Sequence, residues 1–132
     1  MTPEEILRAT RTIAVVGCSR DPFKDAHDVP RAMQEAGFRI IPVNPHADEI
    51  LGERCYARLE DVDQPFDLVN VFRPAEEAPA VARSAVAVGA PAFWLQLGLR
   101  SEEARRICED AGIPYVEDRC IQIERRRLGL TL

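Results

Sequence analysis

Thr12-Ile13-Ala14-Val15-Val16-Gly17-Cys18-Ser19-Arg20-Asp21-Pro22-Phe23-Lys24 is an apolar run closed by one glycine, followed by a polar turn and then a helical pattern. A parallel sheet that offers backbone N–H groups and a helix N-terminus to an anion reads this way. Dinucleotide sites of this kind add a second and a third glycine, which let the pyrophosphate approach the backbone and the helix pack closely. Ser19 and Pro22 stand at those positions here. The loop therefore fits a phosphate-bearing ligand while departing from the NAD pattern. Gly17 permits the tight turn, the backbone at Cys18 continues it, Ser19 offers a hydroxyl, and Arg20 and Lys24 supply charge to neutralise a diphosphate. An ordinary turn with solvated charges is the alternative. Of 17 basic residues Lys24 is the only lysine.

Outward from that strand the same alternation repeats. A helix over Ala26–Ala36 is stopped by Gly37, a residue type suited to the left-handed position that ends helices. A second apolar strand, Phe38–Val43, is closed by Asn44-Pro45. A third, Asp67–Phe72, is closed by Arg73-Pro74 and followed by a helix over Glu76–Val88. A fourth, Ala92–Gln96, precedes a helix that Ser101 caps and Gly112 ends, and Ile113–Val116 makes a fifth. Thr2 caps a short helix over Pro3–Thr10, with Pro3 at its first position. Residues 46–64 carry weaker signals: short helical turns and a brief strand near Arg54–Tyr56. Near-continuously apolar strands suit a parallel sheet covered on both faces. The expected fold is α/β: a single Rossmann-like doubly wound parallel sheet of about five strands, in the order 3-2-1-4-5.

At 132 residues and 46% hydrophobic, the chain reads as one domain over 1–132. A net charge of -5 disfavours nucleic acid, which needs a broad basic face. No apolar run approaches the roughly 18 to 20 residues that span a bilayer, and the N-terminus lacks a basic segment leading into an apolar one, so a cytoplasmic location is expected. Cys18, Cys55, Cys108 and Cys120 are widely spread, with no metal-ligand spacing, and read as reduced thiols.

Ligands of doubly wound sheets bind beyond the carboxyl ends of the strands, where the winding reverses. Val43-Asn44-Pro45 discriminates between cofactors, because NAD sites place an acid at this strand end to hold the ribose hydroxyls. None stands here. Val43 and Pro45 form either an apolar rim for an adenine face or simply a turn. Phe72-Arg73 reads either as the border of a purine or phosphate site or as a core aromatic beside a surface arginine. Trp94 reads as core, and Gln96, two residues on, faces the crevice with an amide that donates and accepts. Arg119 beside Cys120 would lower the thiol pKa if the two side chains converged; a structural thiol is the preferred reading. Arg125-Arg126-Arg127 reads as an exposed basic tail, with contact to an acidic partner as the alternative. No catalytic residue and no metal set is read.

Ile13–Arg20, Gly37–Pro45, Asp67–Arg73, Trp94–Gly98 and Asp118–Ile121 together resemble the small stand-alone coenzyme A-binding proteins, whose fold is similar to the CoA-binding N-terminal domain of the succinyl-CoA synthetase alpha subunit. The resemblance covers nearly the whole chain. It implies that Gly17–Arg20 cradle the CoA phosphates while Val43–Pro45 and Phe72-Arg73 border the adenosine. The synthetase's first loop has several glycines where this chain keeps Gly17, and its lysine after the second strand is replaced by His46-Ala47. Phosphate contacts then fall to Arg20, Lys24 or His46. The synthetase's phosphorylated histidine lies in a further domain not read in this sequence, so ligase chemistry by this chain alone is not expected. The resemblance implies a cytosolic binder of CoA or an acyl-CoA, serving as carrier, sensor or regulatory module. The alternatives are an NAD(P)-linked redox protein or sensor and a separate-chain subunit of an acyl-CoA synthetase. A partner subunit or a second copy of the chain is a possible associate; nucleic acid and membrane are not expected.

Overall fold

Asp67 fixes the arrangement of the sheet. Its Oδ2 accepts the N–H groups of Arg11 (2.9 Å) and Thr12 (3.0 Å), and its own N–H donates to the Thr12 carbonyl (2.9 Å). This staple seats β5 (Leu68–Val71) directly beside β1 (Thr12–Val16), pairing Ile13 with Leu68 and Val16 with Val71. The computed structural model describes residues 1–132. β2 (Arg39–Val43) lies on the other side of β1, and β6 (Phe93–Leu95) and β7 (Tyr115–Val116) follow beyond β5, all parallel.

The five-stranded Rossmann-like sheet has the order β2-β1-β5-β6-β7. Counted as five core strands this is 2-1-3-4-5, which corrects the expected 3-2-1-4-5. The position outside β2 is already taken. A small hairpin of β3 (Glu49–Ile50) and β4 (Glu53–Arg54) leads into Tyr56, whose N–H donates to the Pro42 carbonyl (3.0 Å) and whose carbonyl accepts from Asn44 N–H (2.8 Å). N–H and C=O of one strand residue point to the same side, so the donor that Pro42 lacks would have faced this edge, where proline is tolerated. The hairpin replaces the helical turns expected early in 46–64; one short 3-10 turn follows at Leu59–Asp61.

Helices cover both faces. α1 (Pro3–Arg8) starts with a reciprocal cap: Glu5 N–H donates to Thr2 Oγ1, and Thr2 N–H to Glu5 Oε1. α2 (Asp25–Glu35) packs against β2 and against α5 (Ile121–Leu128), while α3 (Ala78–Ala87) packs on α4 (Glu102–Asp110). Ala78, Ala82 and Ala85 are fully buried on one face of α3, at the i, i+4, i+7 spacing that an apolar stripe requires. α5 corrects the reading of a basic tail. Its Arg125 donates to the Leu130 carbonyl (2.7 Å) past the helix end, Arg127 pairs with Glu124, and Gly129 closes the helix in the left-handed conformation (φ 63°).

One core lies on each face of the sheet: Ile13, Val15, Phe38, Ile40 and Trp94 belong to the first, Ala14, Val69, Val71, Phe93 and Leu95 to the second. The alternation along β1 and β6 follows from the period of two. Trp94 Nε1 meets the Arg119 carbonyl at 2.8 Å, so the indole is buried without losing its hydrogen bond.

Burial pushes the Cys18 thiol up to about 12 and the Cys108 thiol up to about 11. Unfolded thiols titrate near about 8.5. Above that pH the folded chain holds protons that the unfolded chain releases, so stability falls with rising pH. The urea midpoint is therefore expected to be lower at about pH 10.5 than at about pH 8; an unchanged midpoint would show that these thiols titrate normally.

Candidate functional site

The winding reverses between β1 and β5, and a cavity of about 520 Å³ opens at their carboxyl ends. Gly17, Ser19 and Lys24 come to it from the first loop, Val43, Asn44 and Pro45 from the end of β2, and Phe72 and Arg73 from the end of β5. With His46, which follows Pro45, nine of the residues singled out in the sequence thus meet around one space. Three do not border it. Cys18 has no exposed side chain and packs in the first core. Arg20 is exposed on the loop beside it. Gln96 borders a neighbouring cavity.

The first loop is held by its own polar groups. Ser19 N–H donates to the Ala26 carbonyl (3.0 Å), Ser19 Oγ accepts from Asp21 N–H (3.0 Å), and Asp21 Oδ1 accepts from Phe23 N–H (3.0 Å). His27 Nδ1 lies 2.7 Å from the Ser19 carbonyl, which can only accept, so that nitrogen carries the ring proton. Asn44 latches the loop to β2: its Nδ2 donates to the Cys18 carbonyl (2.9 Å) and its Oδ1 accepts from His46 N–H (2.8 Å). Lys24 occupies the N-cap of α2 and offers no acceptor, leaving first-turn N–H groups open to an anion.

The Ser19 bond depends on a proline inside a helix. Pro30 has no N–H to give to the carbonyl four residues back, which leaves that carbonyl without its helical partner. That carbonyl belongs to Ala26, the acceptor for Ser19. Pro30→Ala would restore the helical bond and draw the carbonyl back. The variant is expected to be more stable by about 1 kcal/mol, a discounted share of the helix-propensity difference, yet to bind its ligand three- to tenfold more weakly, on the order of 1 kcal/mol. Chemical denaturation with calorimetry reads both; unchanged affinity would show that the loop keeps its shape without Pro30.

Sequence reasoning missed the far wall. Arg58, Leu59 and Glu60 reach the cavity from the turn after the hairpin, and Ala80, Val81 and Ser84 from α3. No sequence signal marks Arg58, because the turn swings over the sheet only once Tyr56 has paired with β2. Arg58 pairs with Asp61 (3.2 Å), and Arg73 with Glu77 (2.8 Å), whose carboxylate keeps the guanidinium pKa above its ordinary value. Lys24 makes no ion pair. The cavity therefore holds one uncommitted ammonium and two guanidiniums paired to carboxylates, with His46 beside them and the carboxylates of Glu60 and Glu77 on the same lining.

Gln96 is buried at the end of β6. Its Oε1 accepts from Asn70 Nδ2 (3.2 Å) and Ile121 N–H (3.3 Å), tying β5, β6 and α5 together. Asp118 holds the turn that follows: Oδ1 accepts from Gly98 N–H (2.7 Å) and Oδ2 from Arg100 (2.7 Å), contacts that keep its carboxyl below the usual range. Arg119 reaches Glu124 (3.4 Å), a second partner for the side chain that the sequence left free to act on Cys120.

Sheet, switch point and cavity together define a Rossmann-like α/β domain with a cleft at its carboxyl edge. The chain belongs to the family described as the CoA binding domain, which matches residues 11–126. It is 45% identical over 120 residues to the uncharacterized protein YneT of Bacillus subtilis, covering 91% of this chain and 89% of that protein. A solved structure from Thermus thermophilus superposes with a TM-score of 0.91 at 39% identity, covering 97% of this chain and 99% of that one. Acetate–CoA ligase (ADP-forming) II of Archaeoglobus fulgidus is 34% identical over 54% of this chain, a match spanning 11% of the ligase. The dinucleotide-forming acetyl-coenzyme A synthetase 1 of Ca. Korarchaeum cryptofilum aligns with a TM-score of 0.73 at 26% identity, over 84% of this chain and 26% of that one. No helix is long and apolar enough to cross a membrane.

Proposed function

We propose that this chain is a cytoplasmic binding protein for CoA or an acyl-CoA, with the nucleotide end of the ligand in the cavity between β1, β2 and β5. It serves as a carrier, sensor or regulatory module and performs no catalysis alone. The observation that carries this reading is the placement of Lys24, Arg58 and Arg73 around one cavity in a chain whose net charge is -5. Cations gathered against the overall sign of the charge suit a ligand with several phosphates. Membership of the CoA-binding domain family supports the choice of CoA.

NAD fits less well for a physical reason. The end of β2 has no acid, and the Asn44 amide already bonds Cys18 and His46 at 2.9 and 2.8 Å, so no carboxylate there receives the ribose hydroxyls. Calorimetry is expected to give CoA at least a tenfold advantage over NAD, which requires about 1.4 kcal/mol. Equal affinities would sink the selectivity argument and favour a redox protein or sensor.

A second reading, a subunit of a multi-chain acyl-CoA synthetase, draws on the partial match to ADP-forming acetate–CoA ligases. Co-purification with a chain carrying an ATP-binding domain would favour it over a free-standing carrier.

A further inference from the structure

A second cavity, of about 590 Å³, opens on the same edge of the sheet and shares Ala26, Phe72 and Arg73 with the first. The two cavities therefore adjoin at these residues, which stand between them. The character of the walls changes from one to the other. Val29, Leu99 and Ile123 line the second cavity, and apart from the shared Arg73 its only charged side chain is Asp25.

Gln96 supplies the polar group. Its side chain is more than nine-tenths buried, at 6% exposure, and borders this cavity. The orientation of its amide is fixed, because the Ile121 backbone N–H can only donate and must face Oε1. Nε2 then donates to no protein atom. No side-chain nitrogen or oxygen in the chain is sealed away without a partner, so Nε2 opens to the cavity. An amide donor exposed on a cavity wall and unused by the protein is available to an acceptor on a bound molecule.

We propose that the second cavity receives the thioester end of an acyl-CoA, with Gln96 Nε2 donating to the thioester carbonyl and an uncharged hydrocarbon chain lying against Val29, Leu99 and Ile123. The inference rests on the CoA reading above and narrows it: the ligand is an aliphatic acyl-CoA in preference to free CoA. A free thiol is a weak acceptor for the Gln96 donor, whereas a thioester presents a carbonyl oxygen. An acyl group ending in a carboxylate would face apolar walls and Asp25, with Arg73 already held by Glu77 and turned to the phosphates in this reading, and is disfavoured.

Calorimetry on the full chain with CoA, butyryl-CoA, succinyl-CoA and the thioether S-butyl-CoA separates these elements. Butyryl-CoA is expected to bind at least about tenfold more tightly than CoA and about fivefold more tightly than the thioether, which lacks only the carbonyl. Succinyl-CoA should bind no more tightly than CoA. Gln96→Glu keeps an oxygen for Ile121 and Asn70 while removing the amide donor, and should erase the thioester-over-thioether difference. Ile123 is 43% exposed, so Ile123→Glu should fold and should weaken butyryl-CoA about tenfold. Equal binding of butyryl-CoA and CoA by the wild type would overturn the acyl inference and leave the CoA reading standing. Failure of every CoA compound to bind would remove both. Equal affinity for thioester and thioether would overturn the role given to Gln96.

Discussion

Replacing Lys24 and Arg73 together by Ala is expected to weaken CoA binding by at least about a hundredfold. A charge-assisted contact to phosphate is worth about 1.5 to 3 kcal/mol, so even the lower values sum to about 3 kcal/mol, and a hundredfold needs about 2.7 kcal/mol. The two side chains lose this energy differently. Lys24 has no internal partner, so its charge is wholly available to a ligand. Arg73 is held by Glu77, and removing it leaves that carboxylate unbalanced on the cavity wall, where it repels phosphate. The Arg73–Glu77 pair is about half exposed on both sides (46% and 48%), so its loss should cost less than about 1 kcal/mol of stability and the double variant should fold. The affinity gap between wild type and variant should also narrow at high salt, as exposed charges are screened. Calorimetry at low and high ionic strength on the folded variant checks both points. CoA affinity within threefold of the wild type would mean that the phosphates lie elsewhere.

Gly17→Ala is expected to destabilise the fold by about 3 kcal/mol, lowering the melting temperature by roughly 10 °C. Two costs combine. Gly17 has φ +86°, a conformation that residues with a Cβ rarely adopt. An added Cβ would also stand 2.7 Å from Arg73 Cδ and 2.9 Å from the Phe72 carbonyl oxygen. The arginine stem can swing aside, but the carbonyl belongs to the backbone where β5 ends and Phe72 N–H is bonded to Val16 at 2.9 Å. The substitution therefore pries apart the two strand ends that frame the cavity. Differential scanning calorimetry reads the shift, and a drop under about 2 °C would show that the strand ends yield at little cost.

The first four strands and their closures were legible because each is a nearly continuous apolar run followed closely by Gly, Asn-Pro or Arg-Pro. Their lateral order was not, because it depends on two contacts with no local signature. Asp67 reaches residues 11 and 12, and Tyr56 claims the outer side of Pro42. The first loop and the ends of β2 and β5 were legible for the same reason as the strands, since a parallel sheet gathers its carboxyl ends wherever its order places them. Arg58 and the α3 wall were illegible because a side wall comes from chain folded over the site. α5 was missed because three consecutive arginines look solvated, although Ile121 is buried and Leu128 packs on the core.

The two margins of the sheet bear on self-association. Open strand edges invite a second copy to add its own strand, and proteins suppress this by covering or shortening them. Here one margin is closed by the hairpin and Tyr56, over a proline with no N–H to offer, and the other is a strand of two residues, Tyr115–Val116. Each margin offers only a short run of free backbone groups to a second copy. Association of copies is therefore favoured through helices or loops, and the edge-to-edge stacking that leads to fibres is discouraged.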